Sequence, residues 1–268
     1  MRLAWCSDIH LDHLDEIDRK YFLKLLNDKN HDLVVISGDI TVFRHLSSCL
    51  EAFNQLNKPI AFVLGNHDFY GGSIVDGRTI AGLDRANVTY LSKTPNGIKL
   101  SEDVVLIGHD GWYDCRSGTV DGSVILNDFH MISDFKIADG LWTALDSPRD
   151  LMYVKFRGLA DESVSFLKTS ILQAFASYRK IVIATHVPPP EFSMYNNKQS
   201  EPSYLPYFSS TALSRMLIEV AESNKDKSIT VLCGHTHGLA CGFLADNVEI
   251  MVAGATYGYP EIQEVLEF

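Results

Sequence analysis

The sequence predicts an α/β protein whose central strands are covered on both faces. Short apolar runs of strand length recur, segments of helical period lie between them, and five of the runs end in Asp, His or Asn.

The first run, Leu3–Cys6, ends in Ser7-Asp8-Ile9-His10, and the period of Ile17 to Leu26 sets Ile17, Tyr21, Phe22, Leu25 and Leu26 on one helical face. Leu33–Ile36 leads into Ser37-Gly38-Asp39, and Ile60–Leu64 into Gly65-Asn66-His67-Asp68. Val104–Ile107 precedes His109-Asp110-Gly111-Trp112-Tyr113-Asp114. Helical period returns over Val164 to Phe175 and Leu213 to Val220. Between and after these segments Ile181–Ala184 ends in Thr185-His186, and Ile229–Cys233 in Gly234-His235-Thr236-His237. Leu239–Leu244 and Val248–Val252 flank Ala245-Asp246-Asn247 and read as a hairpin. Residues 1–268 are expected to form one domain. A segment at about 110–157, rich in aromatics, Gly and Asp, breaks the rhythm and reads as an insertion or lid. Pro188 to Pro206, with five prolines, reads as a long irregular loop of the kind that carries function.

Lys and Arg number 23 against 34 Asp and Glu, so the net charge of the 268 residues is 23 − 34 = −11. That acid excess argues against long nucleic acid as a partner and leaves room for a small anionic one. No apolar run is long enough to span a bilayer, so no membrane partner is expected. Asp8 interrupts any signal-type apolar region, and five scattered cysteines form no CxxC pair. Both features lead to the expectation of a cytoplasmic protein with reduced thiols.

In open α/β sheets ligands bind beyond the carboxyl ends of the strands. Asp8, His10, Asp39, Asn66, His186, His235 and His237 all follow such ends. Carboxylate, imidazole and amide donors suit Mn, Fe, Zn or Ni, and no cysteine sits where a structural zinc cage would need one. Seven donors are too many for one catalytic ion that keeps an open position; two ions sharing a carboxylate use them naturally. Asp8 and His10, and likewise His235 and His237, reach one side if strand geometry continues through them.

Asp8-x-His10, Gly38-Asp39, Gly65-Asn66-His67-Asp68, His186 and Gly234-His235-x-His237 resemble the five signature blocks of the calcineurin-like metallophosphoesterases. The resemblance implies a four-layer α/β/β/α sandwich of two mixed sheets with a dinuclear metal site at the strand ends. It implies that Asp8, His10 and His237 hold one divalent ion, that Asn66, His186 and His235 hold the other, and that Asp39 bridges them. His67 matches the histidine that contacts the scissile phosphate or protonates the leaving group, and Asp68 the acidic partner expected to fix its tautomer. The implied activity is hydrolysis of a small phosphate ester by a metal-bridging hydroxide, a phosphodiester being slightly favoured. The alternatives are a phosphomonoesterase, a pyrophosphohydrolase, or a non-catalytic scaffold of the same fold. Ile40-Thr41-Val42 stands where the protein Ser/Thr phosphatase branch carries an Asp-Arg pair, so a phosphate-gripping Arg is missing there. His109, Trp112 and Tyr70 are candidate substrate contacts, as is the loop from Tyr195 to Tyr207.

Overall fold

Continuous burial along the central strands, on both faces, sets the architecture. The computed structural model describes residues 1–27, 30–136, 146–196 and 198–268. One mixed sheet contains β1 (Arg2–Cys6), β2 (Leu33–Ser37), β3 (Ile60–Val63) and β4 (Val88–Tyr90), which are parallel. The second is built on β5 (Ile98–Lys99), β6 (Val104–Gly108), β7 (Lys180–Ala184), β10 (Ser228–Cys233), β11 (Ala240–Ala245) and β12 (Val248–Val252), in the order β11-β12-β10-β7-β6-β5. Its two edge strands are antiparallel. A small hairpin joins β8 (Met194–Tyr195) to β9 (Lys198–Gln199), and β13 (Glu264–Glu267) pairs antiparallel with β1 to close the first sheet.

Side chains alternate across each strand, so each sheet buries two faces. Leu3, Trp5, Leu33, Val35 and Val63 meet Leu106, Val182, Leu232 and Met251 in a core between the sheets. Ala4, Cys6, Val34 and Ile36 face the other way, onto α1 (Glu16–Leu26), α2 (Phe43–Asn54) and α3 (Ile74–Ala81). The outer face of the second sheet, with Ile107, Ile183 and Val231, packs under α5 (Asp146–Ala174) and α7 (Thr211–Ser223). Two one-turn helices, α4 (Asp128–Met131) and α6 (Leu205–Phe208), lie beside the strand ends. The result is an α/β/β/α sandwich.

Local choices agree with this layout. Asp15 accepts from the Ile17 and Asp18 amides to start α1, and the Ser73 and Ser210 hydroxyls cap α3 and α7, each cap being worth about 1 kcal/mol. The expected apolar face of α1 is displaced, however. Phe22 and Leu26 are buried with Leu23 packed beside them, while Ile17 is 78% and Tyr21 72% exposed. The stripe that meets the sheet runs through 19, 22, 23, 25 and 26, so Leu25 keeps its expected place, and the Arg19 guanidinium ends on the Leu11 carbonyl.

Within the expected insertion, residues 137–145 lie outside the described residues. Trp112, Tyr113, Phe129, Phe135 and Phe156 are buried and continuous with the core under the first sheet. Helical structure begins at Asp146, well before the Val164 start that periodicity suggests. Among the described residues no helix is long and apolar enough to cross a membrane. All five cysteines are free and only Cys241 is exposed.

Candidate active site

The strands stop before the chemistry begins. β1 ends at Cys6 and β10 at Cys233, so Asp8, His10, His235 and His237 do not share a face by strand alternation. Their backbones turn left-handed instead, with φ of 50°, 38°, 73° and 57°. Asp39, with φ of 51°, does the same. Among the described residues only Cys115 and Asn196 are the other non-glycine residues in that region. Such a conformation costs on the order of 1 kcal/mol or more, and strain of this kind concentrates at functional sites. Here it brings Asp8, His10, His235 and His237 to one cluster of donors. Close approach explains two glycines: a Cβ on Gly65 would collide with Asp39 Oδ1, and one on Gly234 with Asp8 Oδ2.

The seven sequence-predicted donors come together. Asp8, His10, Asp39 and His237 each bring one ligand atom to within 4.8 Å of the others. His10 Nε2 faces His237 Nε2 at 3.2 Å, and His237 Nε2 lies 3.4 Å from Asp8 Oδ1. On the other side, Asn66 Oδ1 is 3.2 Å from His186 Nε2 and 3.0 Å from His235 Nδ1. Asp39 stands between: Oδ2 is 3.7 Å from His10 Nε2, and Oδ1 is 3.4 Å from His186 Nε2.

Outer hydrogen bonds fix which atom of each donor looks inward. His186 Nδ1 donates to the Ser37 carbonyl at 2.9 Å, leaving Nε2 for the centre. His235 Nε2 donates to the Tyr207 carbonyl at 2.9 Å, leaving Nδ1. The Asn66 amide nitrogen donates to Asp128 at 2.9 Å and to the Tyr70 hydroxyl at 3.1 Å, so its oxygen faces the two imidazoles. With His186 neutral, three acceptors crowd one point with their protons spent elsewhere, an arrangement that a cation satisfies. The ionisation of His10 and His235 agrees, whereas His186 holds a second proton that a bound cation would displace. Burial pulls His10 and His235 down to about 4, keeping them neutral as metal ligands must be. Burial opposes charge on His186 too, but the neighbouring Asp39 carboxylate outweighs it and holds that imidazole up at about 10. Asp8 sits at about 2 despite its burial, because the His237 hydrogen bond and the His186 charge favour its anion. The donor set therefore fits two divalent ions.

His67 lies beside this centre, with Nε2 4.0 Å from Asp39 Oδ2 and its ring stacked on Tyr70 at 4.2 Å. Asp68 departs from the expected role of tautomer partner. Its oxygens accept from the Ile40, Thr41 and Gly65 amides at 3.0, 2.9 and 2.8 Å, so it ties the Asp39 loop to the Asn66 loop. A carboxylate engaged by three backbone donors is a brace for the strand ends.

A cavity of about 230 Å³ opens on the donors. Its lining includes Asp39, Asn66, His67, Tyr70, His235 and His237 from the strand ends, Leu126, Asn127 and Asp128 from the insertion, and Tyr195, Phe208 and Tyr257 from later loops. Of the three substrate candidates, Tyr70 is there. Trp112 is buried against Phe69, Tyr113 and Phe135, and His109 against Phe166, neither lining the cavity. Trp112 follows a backbone turn at Gly111, with φ of 74°, and joins the core under the first sheet, whereas His109 comes directly after β6 and faces the α5 layer.

Asp128 and Tyr257 escape sequence reasoning. Asp128 receives the Tyr70 hydroxyl, the Tyr113 hydroxyl at 2.8 Å and the Asn66 amide, yet nothing in its local sequence marks it. Tyr257 did have a signal: it follows Val248–Val252, a strand ending on the same side as the ligand loops.

A search of curated proteins finds no match to the chain. Solved structures do match. The phosphopantetheinyl hydrolase PptH from Mycobacterium tuberculosis aligns over 94% of this chain and 89% of its own, with TM-score 0.63 and 15% identity. A dimetal phosphatase from Danio rerio aligns over 95% and 87%, with TM-score 0.55 and 13% identity. A putative 5'-nucleotidase from Staphylococcus aureus aligns over 96% of this chain and 49% of its own, with TM-score 0.52 and 13% identity. At such identities these likenesses speak for the fold. The family model described as calcineurin-like phosphoesterase matches residues 1–239. The chain therefore belongs to the calcineurin-like phosphoesterases, metal-dependent hydrolases of phosphoric esters.

Proposed function

We propose that this phosphoesterase is a phosphodiesterase for a small substrate. The observation that carries the reading is the charge of the cavity wall. Among the described residues no Lys or Arg lines it, whereas Asp128 adds a carboxylate to it. A phosphomonoester arrives largely as a dianion and calls for a cationic grip of the bidentate Arg kind. A diester carries one charge fewer. Arg44, the nearest arginine to the position noted above, is outside the lining and bonds to His45.

Asp8, His10 and His237 would hold one ion and Asn66, His186 and His235 the other, with Asp39 shared. Bound there, two divalent ions supply Lewis-acid polarisation of the phosphoryl oxygens and a nucleophilic water at neutral pH. Four imidazoles with two carboxylates and an amide favour Mn, Fe, Zn or Ni over Ca or Mg, and manganese is the first choice for reconstitution. His67, 17% exposed at the cavity, donates a proton to the departing alkoxide oxygen. Its stacking on Tyr70 holds the ring edge toward the cavity. Asp68 braces the two loops, and the Asp128 network holds Asn66.

The chain is read as a single domain in which the segment at about 110–157 is an insertion that walls the cavity through Leu126, Asn127 and Asp128. Four buried free thiols support a reducing, cytoplasmic setting. The test is steady-state hydrolysis by manganese-loaded protein of bis-p-nitrophenyl phosphate against p-nitrophenyl phosphate. The diester is expected to be favoured in kcat/KM by about tenfold or more, roughly the value of one charge-assisted contact. A faster monoester would move the reading to a phosphomonoesterase.

A further inference from the structure

A cavity without cationic side chains still has to meet the phosphoryl oxygens that face away from the metal ligands. Neutral donors must do so, and one of them is unusually well placed. Tyr257 lines the cavity and comes from beyond residue 239, where the family match ends. Its ring centre lies 4.6 Å from those of His10 and His13, 4.9 Å from His237 and 6.2 Å from His67. It therefore covers the first ligand group and stands near the proposed acid. Its hydroxyl has no hydrogen-bond partner among the described residues.

The loop that carries it is built to hold still. The Ala253 amide donates to the Cys233 carbonyl at 2.9 Å, and the Ala255 amide to that of His237 at 3.2 Å. Gln263 clasps Gly254 from both sides: its amide nitrogen donates to the Gly254 carbonyl at 2.9 Å and its oxygen accepts the Gly254 amide at 3.2 Å. A turn closes with the Tyr259 amide on the Thr256 carbonyl at 3.0 Å, and Gly258 supplies its left-handed residue, with φ of 84°. Tyr257 sits inside that turn. Its position is fixed relative to His237 by backbone bonds from the same loop, so its phenol is pre-organised in the way binding groups need to be.

We propose that Tyr257 is a substrate-binding residue whose hydroxyl donates a hydrogen bond to a non-bridging phosphoryl oxygen, standing in for the arginine that the Gly38-Asp39 block lacks. A neutral donor of this kind serves a monoanionic diester without the extra charge a dianion calls for. In its consequence for specificity the inference rests on the phosphodiesterase reading; in the contact itself it does not. The phenol is protonated at neutral pH, as a donor must be.

The experiment compares wild type, Tyr257→Phe and Tyr257→Ala as manganese-loaded enzymes. Each is assayed on bis-p-nitrophenyl phosphate and p-nitrophenyl phosphate, with inorganic phosphate as product inhibitor and metal content measured in parallel. Tyr257→Phe keeps the ring over His10 and His237 and removes only the donor. It is expected to keep its metal, to lose about tenfold in kcat/KM on the diester, and to raise the inhibition constant of phosphate by a similar factor. Tyr257→Ala should lose at least as much. If Tyr257→Phe stays within twofold of wild type and only Tyr257→Ala is impaired, the ring is mere packing and the proposal is overturned. Loss of metal in Tyr257→Phe would overturn it equally. A wild type that prefers the monoester, with Tyr257→Phe still impaired, would sink the diester reading and leave the contact standing.

Discussion

The Asn66 side-chain amide donates to Asp128 Oδ1 at 2.9 Å, and this bond ties the insertion to a donor of the metal centre. An amide can face a cation with its oxygen only if its nitrogen is engaged elsewhere. Asp128 meets that condition, and it also accepts from the Tyr70 and Tyr113 hydroxyls. Asp128→Ala is expected to free the amide and weaken the second metal position. Metal content should fall from two ions toward one per chain, and activity by about 10–100-fold, as for other residues that orient a metal ligand. Two tightly held ions in the variant would show that Asn66 needs no such support.

The role proposed for His67 is protonation of the leaving group. His67→Ala should slow esters of poor alkoxide leaving groups by about 10²–10⁴-fold while sparing activated aryl esters, because only the former need a proton as they depart. Equal losses on both classes would remove it from that role.

Removing Asp68 strands three buried amides at once. Each unsatisfied donor costs about 1–3 kcal/mol, so Asp68→Ala should be destabilised by about 3 kcal/mol or more in denaturant unfolding. Metal affinity should fall with it, since the Asp39 and Asn66 loops lose their common brace. A variant of native stability would show that the three bonds carry no net weight.

Acid stability has a buried source outside the seven donors. Asp110 is fully buried and accepts from Arg78 at 3.1 Å, Tyr90 at 2.6 Å and the Leu64 amide at 2.9 Å. Burial alone would raise its ionisation, but the Arg78 charge and these bonds hold it below the usual carboxylate range. A depressed carboxylate contributes stability above its unfolded value of about 3.9, and that contribution is lost as pH falls through the lower folded value. Asp110→Asn should therefore flatten the decline of unfolding free energy below about pH 4. It should also lower stability at neutral pH by about 3 kcal/mol, because Arg78 loses a buried partner. An unchanged acid limb would place the titration elsewhere.

What the sequence revealed and what it hid have physical reasons. The seven donors were visible because each closes an apolar strand run, and the parallel order of the strands delivers all those ends to one place. The left-handed turns that aim them were not visible, since Asp8-x-His10 reads equally well as continued strand. Trp112 looked like a lid aromatic because local pattern cannot tell a ring facing a cavity from one facing the core. Ile17 and Tyr21 seemed to belong to the buried face of α1 because a ten-residue window admits two neighbouring stripes, and only packing chooses the one through Phe22 and Leu26. Asp128 was hidden because its partners, Asn66, Tyr70 and Tyr113, come from two other segments of the chain.

The dinuclear centre itself is open to one decisive measurement: metal content and diester hydrolysis in wild type and Asp39→Asn, before and after chelation. Wild type should hold two ions per chain, lose activity on chelation and regain it with manganese, while Asp39→Asn should lose metal and hydrolysis together. Full hydrolysis without metal, or an Asp39→Asn protein that keeps two ions and full activity, would contradict a shared-carboxylate metal site.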